Sequence, residues 1–255
     1  MTEPELLVER NGASVLVTLN RPAVRNALTS TLIRALSAEM QALDAQESVA
    51  AIVLTGSARA FCAGLDLAEL AATGGNLDLE GSGRPWPELS TPVVAAVNGP
   101  AITGGLELVL HADIVIASTK ARFADTHCRV GVMPGWGMSV LLPQAIGQRR
   151  ANEMSLTGNQ ISADQALSWG LVNHVVEEDE LLPTALRLAD DIASADRMTI
   201  VELMRLRNDH HRAVAGDLLD REVRVARSWA ARMVSPEAVS ARRADIEARG
   251  REQLT

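Results

Sequence analysis

Twice in its first half the chain repeats one pattern: a short apolar run, a stretch of small residues with glycine, and a helix-patterned segment carrying a carboxylate near its start. The copies are VAAIVLTGSARAFCAGLDLAEL, from Val49, and PVVAAVNGPAITGGLELVL, from Pro92. Apolar runs of this length, bounded by turn residues and alternating with helices, predict buried parallel strands and an α/β fold. At each strand-to-helix junction the first N–H groups have no partner inside the helix, and a glycine lets a ligand atom approach the backbone. The N–H groups of Leu65 and Gly104 are therefore candidate donors to an oxyanion, with Glu107 one turn beyond Gly104 on the same helical face. Each junction also has a plainer reading. Ala63-Gly64 makes a tight turn with Asp66 capping a helix, and Glu107 is a carboxylate of the kind favoured in a first turn.

The rest of the chain extends the alternation. LLVERNGASVLVTLN reads as two strands around an Asn11-Gly12 turn, and the spacing of Leu32, Ile33, Leu36, Met40 and Leu43 predicts a helix from Thr29 to about Leu43. Between Ala72 and Pro92 the Gly, Pro and Ser content predicts a long surface loop. DIVIAS is a strand, Met138 to Ala145 a helix, and ISADQALSWGLVNHVV a helix and strand. From about Glu180 the strand signals stop, and four segments read as helices: LLPTALRLADDIASA, MTIVELMRLRN, LLDREVRVARSWAARMV and SPEAVSARRADIEARGREQ. An α/β core over residues 1–185 with a helical C-terminal region over 186–255 is expected. Apolar positions such as Val223, Ala226, Trp229, Ala230 and Met233 need covering, which points to subunit contacts.

Composition narrows the function classes. A formal net charge of −8 argues against a nucleic-acid partner. No run is long and apolar enough for a membrane span, and MTEPELLVER lacks a signal layout, so a cytoplasmic protein with no membrane partner is expected. Cys62 and Cys128 lack metal-site or disulfide spacing and read as buried free thiols, and no metal is expected. No G-x-G-x-x-G follows a strand, which weighs against a nucleotide-binding oxidoreductase.

In order and spacing, LNRPAVRNAL, AFCAGLDLAEL, AVNGPAITGGLEL with ADIVIA, FADTHCRVGVMPGWG and ALSWGLVNHVV resemble the enoyl-CoA hydratase/isomerase (crotonase) family, over about Leu19 to Val176. The resemblance implies an α/β superhelix of strand-strand-helix (ββα) turns, with a C-terminal helical trimerisation region that builds homotrimers or dimers of trimers. It implies an acyl-CoA thioester substrate, with coenzyme A entering as part of that substrate and no permanently bound cofactor. The N–H groups of Leu65 and Gly104 then hold the thioester oxygen and stabilise an enolate, a task for which each aligned donor is worth ~3–4 kcal/mol. Arg25, Ala27, Ala63, Leu65, Asp66, Leu67 and Ala68 match the coenzyme A path. Ala68 departs from the basic residue usual there, so phosphate contacts fall to Arg25 or an arginine elsewhere.

Hydratases of this family use two glutamates. Glu107 matches the first, and His127 stands where the second belongs. An imidazole still serves as acid or base, and a carboxylate beside it favours its protonated form and leaves Glu107 ionised. Three outcomes stay open: hydration of a 2-enoyl-CoA, isomerisation by Glu107 alone, or an acyl-CoA-binding homologue without catalysis in which His127 is a packing residue. His111 reads as a packed core histidine and Asp66 as a helix cap. Asp125 is left without a role, and Trp136 narrows an acyl pocket or fills the core.

Overall fold

The computed structural model describes residues 3–73 and 83–252. Strands β1 (Leu6–Asn11) and β2 (Ser14–Leu19) pair antiparallel around Gly12, whose φ of 61° suits the tight turn expected at Asn11-Gly12. Helix α1 (Ser30–Asp44) follows, capped by the Thr29 hydroxyl accepting from Leu32 N–H, and its apolar face is the expected Leu32, Ile33, Leu36, Met40 and Leu43. Next come β3 (Ala51–Gly56), α2 (Leu67–Thr73), β4 (Val93–Val97), the short β5 (Ala101–Ile102) and α3 (Gly104–Leu110). The same turn repeats as β6 (Ile114–Ser118), β7 (Arg122–Ala124) and α4 (His127–Val130). Helices α5 (Met138–Ile146) and α6 (Gln148–Thr157), strand β8 (Ile161–Ser162), helix α7 (Ala163–Trp169) and strand β9 (His174–Val176) complete the alternation.

Two sheets result. The larger has the order β1-β2-β3-β4-β6-β9 and is parallel from β2 onward. The smaller runs β5-β7-β8. The turns β4-β5-α3 and β6-β7-α4 each give one strand to either sheet, as in a ββα superhelix, whereas β1 and β2 of the first turn both belong to the larger sheet. Burial explains the unbroken apolar runs. In β3 and β4, Ile52, Leu54, Val93, Ala95 and Val97 face the main core. The alternate Ala51, Val53, Val94 and Ala96 face a second cluster completed by Leu181, Ala185 and Ala189 of α8 (Leu181–Ser194). A strand covered on both faces needs no polar alternation.

Three expectations change. The segment after Ala72 is only partly a surface loop: residues 74–82 lie outside the described residues, but Trp86 and Leu89 are buried in the main core. Asp44 at the end of α1 anchors that stretch, its carboxylate accepting from Ser90 N–H at 2.9 Å and Thr91 N–H at 2.7 Å. Two helical segments of the tail merge into one, α9 (Arg197–Met233), because no proline separates them and Gly216 alone does not break a helix of 37 residues. Helix α10 (Pro236–Glu252) then folds back on α2 and α4. Cys62 is buried and its thiol is pushed up to about 12 by desolvation, whereas Cys128 is exposed on α4 rather than buried.

Candidate active site

The two strand-to-helix junctions meet across a cleft. Leu28 N–H donates to the Gly64 carbonyl at 2.8 Å, and Asp66 N–H donates to the Leu28 carbonyl at 2.9 Å. This pairing turns the intervening Leu65 N–H away from Leu28. Opposite it, Thr103 sits at φ 53°, ψ −108°, a backbone state costing a non-glycine residue ~1–3 kcal/mol, with its own N–H tied to the Ala124 carbonyl at 2.8 Å. Gly104 then opens α3 with an N–H that has no intrahelical acceptor. Among the described residues no acceptor takes either the Leu65 or the Gly104 N–H. They are neighbours: a Cβ placed on Gly104 would lie 3.8 Å from Leu65 N, and one on Gly64 would lie 3.5 Å from Gly104 N.

What holds the two amides at this spacing is close backbone packing. Ile102 N–H donates to the Cys62 carbonyl at 2.9 Å, and a Cβ on Gly105 would come within 2.3 Å of that same oxygen. Gly105→Ala is therefore expected to push α3 off the segment around Cys62 at a cost of ~1–3 kcal/mol, read as a lowered urea midpoint together with weaker acyl-CoA binding.

The cleft has a volume of about 400 Å³ and is lined by Arg25, Ala27, Ala63, Leu65, Asp66, Leu67 and Ala68, together with Ile102, Thr103 and Thr126. Its wall is pinned from below by Asn26, fully buried, whose amide donates to the carbonyls of Ser57 at 3.0 Å and Ala60 at 2.8 Å. Asp66 caps α2, accepting from Ala68 N–H at 3.0 Å, and pairs with Arg21 at 3.1 Å. Burial alone would raise its pKa, but Arg21 and the capping N–H groups hold it below the usual carboxylate value. Two further arginines, Arg129 of α4 and Arg249 of α10, line the same cleft. Arg249 was not singled out by sequence because the tail around it reads as a solvated charged helix.

Glu107 and His127 lie beside this cleft at the amide end. Glu107 projects from the first turn of α3, is 4% exposed, and accepts from Trp136 N–H at 2.9 Å. His127 opens α4, directly after Thr126, whose hydroxyl bonds that of Thr103. The imidazole Nε2 is 3.8 Å from the other Glu107 oxygen, beyond direct hydrogen bonding but within reach through one water. Its Nδ1 donates to Asp125 at 2.6 Å, so the residue left without a role orients the ring and leaves Nε2 facing Glu107.

Charge follows from this geometry. Desolvation pushes Glu107 up to about 7, further than the nearby imidazole can pull it down, which differs from the fully ionised carboxylate expected from sequence. For His127, burial would lower the pKa, but the hydrogen bond to Asp125 and the Glu107 charge outweigh it and raise it. Asp125 is held low: burial opposes this, and the His127 hydrogen bond prevails. His111 is half-buried rather than within the core, its pKa driven down to about 3 by desolvation, and it donates Nε2–H to the Trp136 carbonyl at 2.8 Å. Trp136 itself lines a separate cavity of about 260 Å³ with Ile33, Gly135, Val223 and Ala226, on the α1 and α9 side of Glu107.

Comparison with known proteins identifies the family. The family model for enoyl-CoA hydratase/isomerase matches residues 9–241. A probable peroxisomal enoyl-CoA hydratase of Arabidopsis thaliana is 38% identical over 224 residues, 87% of this chain and 84% of that protein. A probable enoyl-CoA hydratase of Rhizobium meliloti is 42% identical over 198 residues, covering 76% and 77% of the two chains. Among solved structures, an enoyl-CoA hydratase from Mycobacterium tuberculosis H37Rv superposes with a TM-score of 0.83 at 42% identity, over 89% of this chain and 99% of that one.

Proposed function

The chain belongs to the enoyl-CoA hydratase/isomerase family, and from that premise we propose that it adds water to a 2-enoyl-CoA with Glu107 and His127 as its acid–base pair. One observation carries the reading: Leu65, which lines the cleft, and Gly104, directly behind the lining residue Thr103, have unclaimed N–H groups side by side, with the buried Glu107 carboxylate one helical turn along α3 from Gly104. The thioester oxygen sits between those donors. Glu107, ionised, takes a proton from a water whose oxygen bonds C3. The C2=C3 electron pair moves through the carbonyl to the oxygen held by Leu65 and Gly104. The His127 imidazolium, oriented by Asp125, delivers its proton to C2, and a proton passing from Glu107 to His127 through a bridging water restores both groups. This cycle needs Glu107 ionised while His127 is protonated. The acid limb of kcat/KM is therefore expected near pH 7, where Glu107 gives up its proton, with loss of activity again above the raised His127 value.

Arg25, Arg129 and Arg249 supply the cleft's positive charge, a suitable lining for the phosphates of coenzyme A in place of a basic residue at Ala68. Coenzyme A is part of the substrate, and the reading requires no resident cofactor or metal. No helix among the described residues is long and apolar enough to cross a membrane, and we place the protein in the cytoplasm. Exposed Leu203, Leu206, Val214 and Leu218 along α9 support assembly as a homotrimer or dimer of trimers.

The test is direct. Purified protein incubated with crotonyl-CoA and with a longer 2-enoyl-CoA is expected to remove the conjugated thioester absorbance. Tight acyl-CoA binding with no absorbance change would instead mark a binding protein, and appearance of absorbance from a 3-enoyl-CoA alone would mark an isomerase.

A further inference from the structure

A third buried carboxylate enters the site from the C-terminal helices. Glu222 of α9 is 7% exposed on a helix that otherwise turns Arg221, Arg224 and Arg227 to solvent. One of its oxygens accepts from Gly137 N–H at 2.6 Å, and the other accepts from Ser139 N–H at 2.8 Å and from the Ser139 hydroxyl. Gly137 is the N-cap of α5 and has no side chain to cap with, so α9 supplies the missing acceptor. Both carboxylate oxygens are thereby occupied, which sets Glu222 apart from a group that handles substrate.

Where Glu222 grips matters more than the cap. The Gly137 N–H belongs to the same planar peptide as the Trp136 carbonyl, and that carbonyl accepts from His111 Nε2 at 2.8 Å. One rigid plane is thus clamped at one edge by α3 and at the other by α9. Trp136 ends at this plane, and its own N–H, in the preceding peptide and one Cα away, donates to Glu107 at 2.9 Å. We propose that Glu222 is a positioning residue for the hydration: by holding the Trp136–Gly137 peptide against His111 it aims the N–H that orients Glu107. The proposal rests on Glu107 being the proton-handling group. The charged or titratable groups facing Glu107 are His127 from α4, Asp125 from the segment before it, and Glu222 itself; His111 on the same helix is neutral.

Glu222→Gln tests this. A glutamine must turn an NH₂ toward one of two backbone N–H groups, so the clamp loosens while the cleft lining is untouched. The expected result is a ten- to hundredfold loss of kcat with KM for crotonyl-CoA changed less than threefold. The acid limb of kcat/KM should also move to lower pH, because one negative charge that raises Glu107 is gone. Glu222→Asp keeps the charge on a shorter arm, and is expected to lower kcat while leaving the acid limb in place. Full kcat and an unmoved acid limb in Glu222→Gln, with only a lower melting temperature, would show a purely structural cap and overturn the proposal. Should Glu222→Gln fail to fold, Ser139→Ala removes just the hydroxyl contact. It is expected to lower kcat two- to fivefold at constant KM, and unchanged kcat there overturns the proposal equally. If Glu107→Gln keeps its activity, the reading of the site fails instead, whatever Glu222 does.

Discussion

Glu107→Gln should lose about three orders of magnitude in kcat for 2-enoyl-CoA hydration while binding acyl-CoA almost as tightly as the parent. The glutamine carbonyl still accepts from Trp136 N–H, so the side chain stays in place. What disappears is the carboxylate proposed to take a proton from water, and removing a positioned general base costs ~10²–10⁴-fold. In the proposed site, binding rests on the Leu65 and Gly104 amides and on the cleft walls, none of which involve the carboxylate. Isothermal binding of a non-reactive acyl-CoA beside steady-state rates separates the two effects. Unchanged turnover would remove Glu107 from the mechanism.

The same variant should be more stable than the parent, but only on one side of neutrality. A carboxyl lifted from 4.5 to about 7 in the folded state costs that state about 3 kcal/mol once it ionises. Below about pH 4.5 the group is protonated folded and unfolded, and nothing is lost. Between 4.5 and 7 the unfolded chain ionises first, and folding becomes progressively less favourable; above 7 the penalty is complete. Glutamine carries no such charge. Urea unfolding at pH 8 should therefore show a gain of up to about 3 kcal/mol for Glu107→Gln, a figure that already contains the attraction to His127, with the two proteins alike at pH 4. A buried carboxylate that destabilises its own fold above neutrality fits the chemical role proposed for it better than a packing role.

Much of this site is legible in the chain because it is written locally. The apolar runs ending at Gly56 and Val97, the glycines at 64, 104 and 105, and Glu107 three residues later lie within single strand-turn-helix units, where period and turn chemistry speak. Strands β5, β7 and β8 escape such reading, since two or three residues define no period. Glu222 escapes for a different reason: it meets Gly137 across 85 residues of sequence, and DREVRVAR looks like an ordinary solvated helix face until tertiary packing turns one carboxylate inward. Asp125 stood in plain view two residues before His127, yet only the 2.6 Å hydrogen bond gives it work. His111 reads as a packed histidine and is half-buried, and nothing local in the sequence points to its hold on the Trp136 carbonyl.

That network decides what a second carboxylate would do here. His127→Glu restores a two-glutamate site in name, and a chain that had merely drifted from such a site would gain hydration from it. In this structure the imidazole, its pKa raised against desolvation by the hydrogen bond to Asp125 and by the Glu107 charge, stands among Glu107, Asp125 and Glu222 and satisfies Asp125 directly. Replacing it leaves the buried Asp125 with only the residue-127 N–H and Ser155 as donors and sets a fourth carboxylate beside three others, so protons are retained to higher pH and fewer bases are ionised at neutrality. Expected are a loss of at least a hundredfold in kcat/KM at pH 7 and a urea midpoint that falls as pH rises. Adding Asp125→Asn to His127→Glu removes one charge and offers an amide N–H to the new carboxylate, so the double variant should recover at least tenfold over the single one. A single variant that hydrates crotonyl-CoA faster than the parent would show instead that His127 is a lesion in a two-carboxylate site, and that Asp125 and His127 do not act as a unit.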